Sequence, residues 1–292
     1  MNGAATYPDP QWLDVQYNNR ARVPDFPLHL ARWDEDSAQA RQTSGCVLDI
    51  VYGGSAGEKL DVFPASASRG QGKGAPVLVF IHGGWWRSLD KSDHSFVAPP
   101  FAAAGACVVL PNYALCPAVT IPEITLQMVR ALAWTFRHIA QYGGDPARIT
   151  VAGHSAGGHL SAMMLACDWP SYADDLPPDL VKHALSISGL HDLEPLAHTP
   201  ALKDVLRLTP EQVSMASPAL LPAPKAGRLC ALVGGDESGE FLRQNRVIQQ
   251  AWGHKVVPVC EELPGQNHFS ILQTLAEPGQ RAHQLALQLL AP

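Results

Sequence analysis

Charge is scarce in this chain of 292 residues: Asp, Glu, Lys and Arg make up only 16% of it, and 21 Lys and Arg face 27 Asp and Glu for a net charge of −6. No Lys/Arg cluster occurs, so the chain lacks the electrostatic footprint of a nucleic-acid binder and the basic patch of a membrane-surface protein. Apolar runs stop early, as at Phe101–Leu110, well short of the ~20 residues that a membrane-spanning helix requires. The six cysteines include no C-x-x-C pair, and there is neither an H-E-x-x-H motif nor a Cys/His cluster, so no catalytic metal is expected. Met1–Pro10 has no basic stretch leading into an apolar one, which predicts a cytoplasmic protein with free, mostly buried thiols.

Apolar residues, by contrast, are plentiful at 46%. A single domain of this length buries roughly 75% of its unfolded surface and needs no disulfide or metal to be stable. Residues 1–45 read as an N-terminal arm or partial cap. Beyond them, β-branched runs recur at Cys46–Tyr52, Lys59–Phe63, Val77–Ile81, Ala106–Leu110, Ile149–Ala152, Ala184–Ser188, Leu229–Val233 and Lys255–Val259. The first two are spaced for an antiparallel hairpin. A Gly/Ser-rich loop, Ser66–Gly74, precedes the third.

Helical patterns fill the later gaps, at Ser92–Ala104, Pro122–Tyr142, Gly157–Cys167, Glu240–Trp252 and Gln280–Leu290. In the second of these, Ile124, Met128, Ala131, Leu132 and Phe136 form one apolar stripe. Strands alternating with helices predict a mostly parallel sheet covered on both faces. The expectation is one eight-stranded α/β domain over residues 1–292, with lid-like insertions within residues 168–224.

Chemistry enters after the fifth strand. Gly153-His154-Ser155-Ala156-Gly157 is a G-x-S-x-G motif opening an apolar helix, the setting in which a strained strand-to-helix turn exposes a nucleophilic hydroxyl. The third strand runs into His82-Gly83-Gly84-Trp85-Trp86, an H-G-G-type element whose glycines let backbone amides approach a substrate oxygen. Gly83 and Gly84 are therefore candidate oxyanion donors, with the Ala156 amide as the second donor. His82 is expected to be a structural hydrogen-bonding residue. Trp85 and Trp86 are expected to wall a pocket, at least one of them. Arg87 and Lys91 lie near the same turn.

A serine nucleophile needs an imidazole to take its proton, and the imidazole needs an anion to fix its tautomer. His268 is the His in the loop after the last strand, whereas His283 in the final helix reads as a surface residue. After the seventh strand come Asp236 and Glu237, adjacent, of which only one can face His268. Spacing does not choose between them.

These motifs, together with Tyr17-Asn18-Asn19-Arg20, Leu60-Asp61-Val62-Phe63-Pro64, Pro111-Asn112-Tyr113 and Ser188-Gly189-Leu190-His191-Asp192, resemble the serine-type kynurenine formamidase (arylformamidase) branch of the α/β-hydrolase superfamily. The resemblance covers nearly the whole chain. It implies an α/β-hydrolase fold and a Ser155–His268–acid triad. Laid on the branch's D-S-P-E-F pattern, Glu237 takes the place of the acid, with Asp236 in reserve.

The implied reaction is hydrolysis of a formyl amide of an aryl amine, N-formylkynurenine-like, without a cofactor. Trp85, Trp86, Tyr113 and Phe241 would stack on the aryl ring. The competing expectations are a general carboxylesterase and a catalytically silent binding module. The expected partner is a small amide or ester substrate, with neither nucleic acid nor membrane, and a homodimer is compatible with the fold.

Overall fold

Val77-Leu78-Val79-Phe80-Ile81, a continuous apolar run, lies at the centre of the sheet. In the computed structural model, which describes residues 9–66 and 74–291, it belongs to strand β3 (Ala75–Ile81). Successive side chains of a strand point to opposite faces, and both faces of this one are apolar. Val77, Val79 and Ile81 enter one core, while Leu78 and Phe80 enter the other.

The remaining strands are β1 (Val47–Val51), β2 (Lys59–Phe63), β4 (Cys107–Pro111), β5 (Gly144–His154), β6 (Val181–Ile187), β7 (Arg228–Gly234) and β8 (Val259–Leu263). Their order across the sheet is β1-β2-β4-β3-β5-β6-β7-β8. β1 and β2 form the expected antiparallel hairpin, β2 also runs antiparallel to β4, and every other pairing is parallel. This is an α/β-hydrolase sheet, eight-stranded and mostly parallel.

The first core takes in the helices Ile121–His138, Ala156–Leu165 and Gly239–Val256, and the second takes in Ala98–Ala103, Ser270–Ala276 and Arg281–Leu290. The helix from Ile121 begins where a capping box dictates, with the Thr120 hydroxyl accepting from Glu123 N and the Glu123 carboxylate accepting from Thr120 N. Residues 10–43 supply three helices, Pro10–Tyr17, Asn19–Arg22 and Phe26–Thr43. They contribute to both cores, Leu13 and Tyr17 to the first and Trp33 to the second. Between β6 and β7 lie the short helices Glu194–Ala197, Pro200–Leu206 and Pro210–Ala216.

Several expectations need correction. The eighth strand runs Val259–Leu263, not Lys255–Val259, because the preceding helix continues to Val256 through a kink at Gly253. Only β7 flanks this edge strand, so its Glu261 and Glu262 remain partly in water and dilute the apolar signal. The Ser92–Ala104 helix is a 3-10 segment, Lys91–Val97, leading into the α-helix Ala98–Ala103. Pro99 and Pro100 lack amide donors, which suits them to the first turn of that α-helix.

His283 is buried rather than exposed, with its ring 4.7 Å from that of Phe101 and Nδ1 3.0 Å from the Leu275 carbonyl. The cysteines are unpaired, but only Cys107, Cys116 and Cys230 are buried. Most of the Ser66–Gly74 loop and the first eight residues lie outside the described residues. Among the described residues, no helix is long and apolar enough to cross a membrane.

Candidate active site

Ser155 stands between the end of β5 and the helix Ala156–Leu165, with φ 56° and ψ −117°. A side chain in this region costs of order 1–3 kcal/mol and persists only where its surroundings enforce it. Here they do. The Ser155 amide donates to the Ile187 carbonyl at 2.8 Å, and the following helix is packed so closely on β3 that a Cβ at Gly157 would lie 1.9 Å from the Ile81 carbonyl. Glycine is obligatory there.

The loop after β3 meets this turn directly. A Cβ on Gly83 would sit 2.8 Å from the His154 carbonyl and 3.1 Å from Ser155 Cβ. Gly84, Trp85 and Trp86 follow with φ of 103°, 55° and 54°, a short left-handed run. The carbonyls of this loop are held from several sides. Tyr113 Oη donates to the carbonyls of His82 (2.9 Å) and Gly83 (3.2 Å), and the amides of Arg87 and Ser88 each donate to the Gly84 carbonyl at 3.0 Å.

His82 is hydrogen-bonded on both sides, with Nδ1 2.8 Å from the Gly83 carbonyl and Nε2 2.9 Å from Asn112 Oδ1. Burial pushes its pKa down. It braces the loop, as its place in the turn suggested.

Burial and contact separate the two candidate acids. Glu237 Oε2 lies 2.6 Å from His268 Nδ1, and Oε1 accepts from Ser188 Oγ (2.5 Å) and from the Gly234 amide (2.8 Å). Asp236, one residue earlier, is exposed, and its amide donates to the Gln266 carbonyl at 3.0 Å. The turn after β7 therefore sends Glu237 inward and Asp236 to solvent.

The loop carrying His268 is anchored twice. Asn267 Oδ1 accepts from the amides of Phe269 and Ser270, both at 2.9 Å. His154 Nε2 meets the His268 carbonyl at 2.8 Å. Burial holds His154 well below the usual imidazole range, and the neighbouring His268 adds to this. The ring is therefore neutral, with its proton on Nε2. No hydrogen bond joins Ser155 Oγ to His268 among the described residues. Such bonds are often long in unliganded enzymes and tighten around substrate.

Of the four aromatic residues expected around substrate, two are misplaced. Trp86 is fully buried, its ring 5.0 Å from His159, and Tyr113 is stacked at 4.2 Å on His82 beneath the loop. Both are scaffold, because each turns into the core. Phe241 is buried as well, but its ring lies 4.6 Å from that of His268. Trp85 is partly exposed and touches Phe241 and Tyr17 edge to face, at 6.0 and 5.9 Å.

Lys91 is committed elsewhere, its Nζ 2.8 Å from Asp61 and 3.0 Å from Asp49. Sequence reasoning gave no role to Ser188, His154 or Tyr17. For Ser188 the only local signal is its place at the carboxyl end of an apolar strand. Among the described residues, no group of three or more His, Cys, Asp or Glu is arranged to hold a metal ion.

Comparison with known proteins agrees with this fold. The profile of a family described as alpha/beta hydrolase fold matches residues 78–248, more than half of the chain. The chain belongs to that family. Proteins similar to it over most of its length include the kynurenine formamidases of Salmo salar and Danio rerio. Both are 29% identical to it, over 96% of this chain and 94% of the first protein, and 95% of this chain and 95% of the second.

The esterase LipC of Mycobacterium tuberculosis is 28% identical over 82% of this chain and 64% of its own length. A solved structure from Silicibacter sp., described as a proposed thioesterase, superimposes with a TM-score of 0.82 at 29% identity, covering 96% of this chain and 99% of that one. The likeness to kynurenine formamidases carried by the motifs thus extends through the alpha/beta hydrolase chain, and the protein is a hydrolase.

Proposed function

We propose that the protein is a serine hydrolase that removes the formyl group from the amide of an aryl amine, with N-formylkynurenine as the type substrate. One observation carries the assignment of roles: a carboxylate–imidazole pair at 2.6 Å, excluded from water, on a loop tied to the residue that precedes Ser155. Full-length likeness to the two fish kynurenine formamidases supports the choice of substrate.

In the first step Ser155 Oγ attacks the formyl carbon and its proton passes to His268 Nε2. The imidazolium is stabilised by Glu237 through Nδ1. The negative oxygen is received by backbone amides of Gly83, Gly84 and Ala156, donors that contribute about 10²–10³ in rate each where they have been removed in other enzymes. The C–N bond then breaks, the imidazolium protonates the departing nitrogen, and the free aryl amine leaves a formyl ester on Ser155. Water, deprotonated by His268, attacks that ester. Formate departs and Ser155 regains its proton. An aniline nitrogen leaves more readily than an alkyl amine, so ester-cleaving machinery suffices.

A carboxylesterase is the second reading, favoured by the likeness to LipC. Measuring kcat/KM on N-formylkynurenine and on p-nitrophenyl acetate separates the two. Strong ester turnover with negligible formamide cleavage would overturn the formamidase reading. Labelling of Ser155 by a fluorophosphonate is expected, and a folded protein that never reacts would instead be a silent binding module.

A further inference from the structure

Leu13 and Tyr17, one turn apart on one face, are the buried residues of the helix Pro10–Tyr17. The Tyr17 ring lies where three distant segments of the chain meet. It packs edge to face on Trp85, in the loop after β3, and on Phe241, in the first turn of the helix Gly239–Val256, with centroids 5.9 and 5.8 Å away. Trp85 and Phe241 touch each other at 6.0 Å. Phe241 in turn rests on the His268 ring at 4.6 Å.

Both neighbours of Tyr17 belong to parts that need holding. Trp85 has φ 55°, a left-handed conformation that a bulky side chain keeps only where its surroundings enforce it. It directly follows Gly83 and Gly84. Phe241 is fully buried, in the turn of helix that comes after Glu237.

Tyr17 itself is fixed by a polar set. Its Oη donates to Glu240 Oε2 at 2.7 Å and accepts from Gln244 Nε2 at 3.1 Å. Arg243 clasps the same carboxylate, with Nε 3.0 Å from Oε1 and Nη2 3.0 Å from Oε2. Burial and the adjacent Glu240 push the phenol far above its ordinary range, so the hydroxyl keeps its proton and donates. Beside it, Gln16 Oε1 accepts from the Glu240 amide at 3.3 Å, satisfying one of the free donors at the start of that helix. The end of the N-terminal helix is thus bolted to the helix that carries Phe241.

We infer that Tyr17 is a positioning residue: its ring holds the loop after β3 and, through Phe241, the His268 imidazole at their separation across the site. The inference rests on the serine-hydrolase reading and is independent of which acyl group is removed. It gives the N-terminal helix a part in turnover, exerted on the oxyanion loop and the base rather than on substrate.

The test uses the full chain in two variants, Tyr17→Phe, which keeps the ring and loses the hydroxyl, and Tyr17→Leu, which loses the ring. Tyr17 and Trp85 also border a cleft of about 260 Å³, so small reagents are needed that do not depend on binding there. These are p-nitrophenyl acetate, for kcat and KM, and a fluorophosphonate, for the rate at which Ser155 is labelled. A third measurement needs no turnover: the nuclear magnetic resonance signal of the His268 Cε1 proton, identified by its loss in His268→Gln. Its position depends on how the Phe241 ring lies against the imidazole.

Tyr17→Leu should lower kcat on the ester and the labelling rate together, by about tenfold to 10²-fold, the scale on which a small misplacement far from the chemistry acts. KM should change little and the His268 signal should be displaced. Tyr17→Phe should recover most of the loss. A folded Tyr17→Leu with unchanged kcat and labelling, a loss confined to KM, or an equal loss in Tyr17→Phe would overturn the inference. If the wild type is neither labelled nor active on the ester, the serine-hydrolase reading fails, and the His268 signal still decides whether Tyr17 holds the imidazole. Should Tyr17→Leu fail to fold, Tyr17→Met, whose unbranched side chain adapts to irregular gaps, carries the test.

Discussion

Ser188 Oγ hydrogen-bonds Glu237 Oε1 at 2.5 Å, on the carboxylate oxygen that His268 does not use. Ser188 follows β6 and has φ 50°, and its own amide is fixed by the Leu232 carbonyl at 2.7 Å. The Glu237 carboxylate is thus oriented by the ends of two neighbouring strands. Replacing Ser188 by Ala should lower kcat/KM by about tenfold and stability by about 1.5–3 kcal/mol, the range for a hydrogen bond to a charged group. Steady-state kinetics and urea unfolding check both. Unaltered values would mean that the Gly234 amide alone orients the carboxylate.

Glu237→Gln and Asp236→Asn should differ sharply. The first leaves the imidazole without the anion that fixes its tautomer and is expected to reduce kcat by on the order of 10³- to 10⁴-fold. The second changes an exposed side chain and should leave kcat within twofold. Equal losses in the two variants would contradict the geometry.

Acid should destabilise the fold through its buried histidines. Burial pushes His94 and His159 down to about 3 and His191 to about 4, and drives His82 and His154 down as well. In the unfolded chain each ring takes a proton near the ordinary value of about 6.5. Between about pH 6.5 and pH 4 the unfolded state therefore binds more protons, and stability falls as pH falls, by up to about 1.4 kcal/mol per unit for each ring. Urea midpoints measured at pH 7, 6 and 5 should decline. A flat series would show that these rings do not resist protonation.

Lys91→Met tests a different internal charge. Removing the ammonium leaves Asp61 buried without its partner at 2.8 Å, a change expected to cost about 3–5 kcal/mol. Thermal unfolding should show a large fall in Tm. Adding Asp61→Asn to the same chain should restore part of it.

The sheet and the strand-to-helix turn at Ser155 were legible because both rest on local patterns. Val77–Ile81 is apolar on both faces, and Ser155 is set among small residues at a strand-to-helix junction, where the turn itself requires them. What escaped depends on contacts between distant segments. Nothing near residue 237 says that its longer side chain turns inward while that of Asp236 does not; the carbonyl of Gln266 and the hydroxyl of Ser188 decide it. Tyr113 and Trp86 look like pocket residues by proximity to the loop, yet both are turned into the core beneath it. The last strand lies further along the chain than apolar patterning indicates, because Glu261 and Glu262 interrupt it. Tyr17 gave no sign that it would pack on Phe241, more than two hundred residues away.

The bond from His154 to the main-chain carbonyl of His268 couples two segments that the chain itself keeps far apart. A side chain adjoining Ser155 grips the backbone of His268, so a drift of either loop drags the other with it. The turn at Ser155 and the loop at His268 are thereby held in one register.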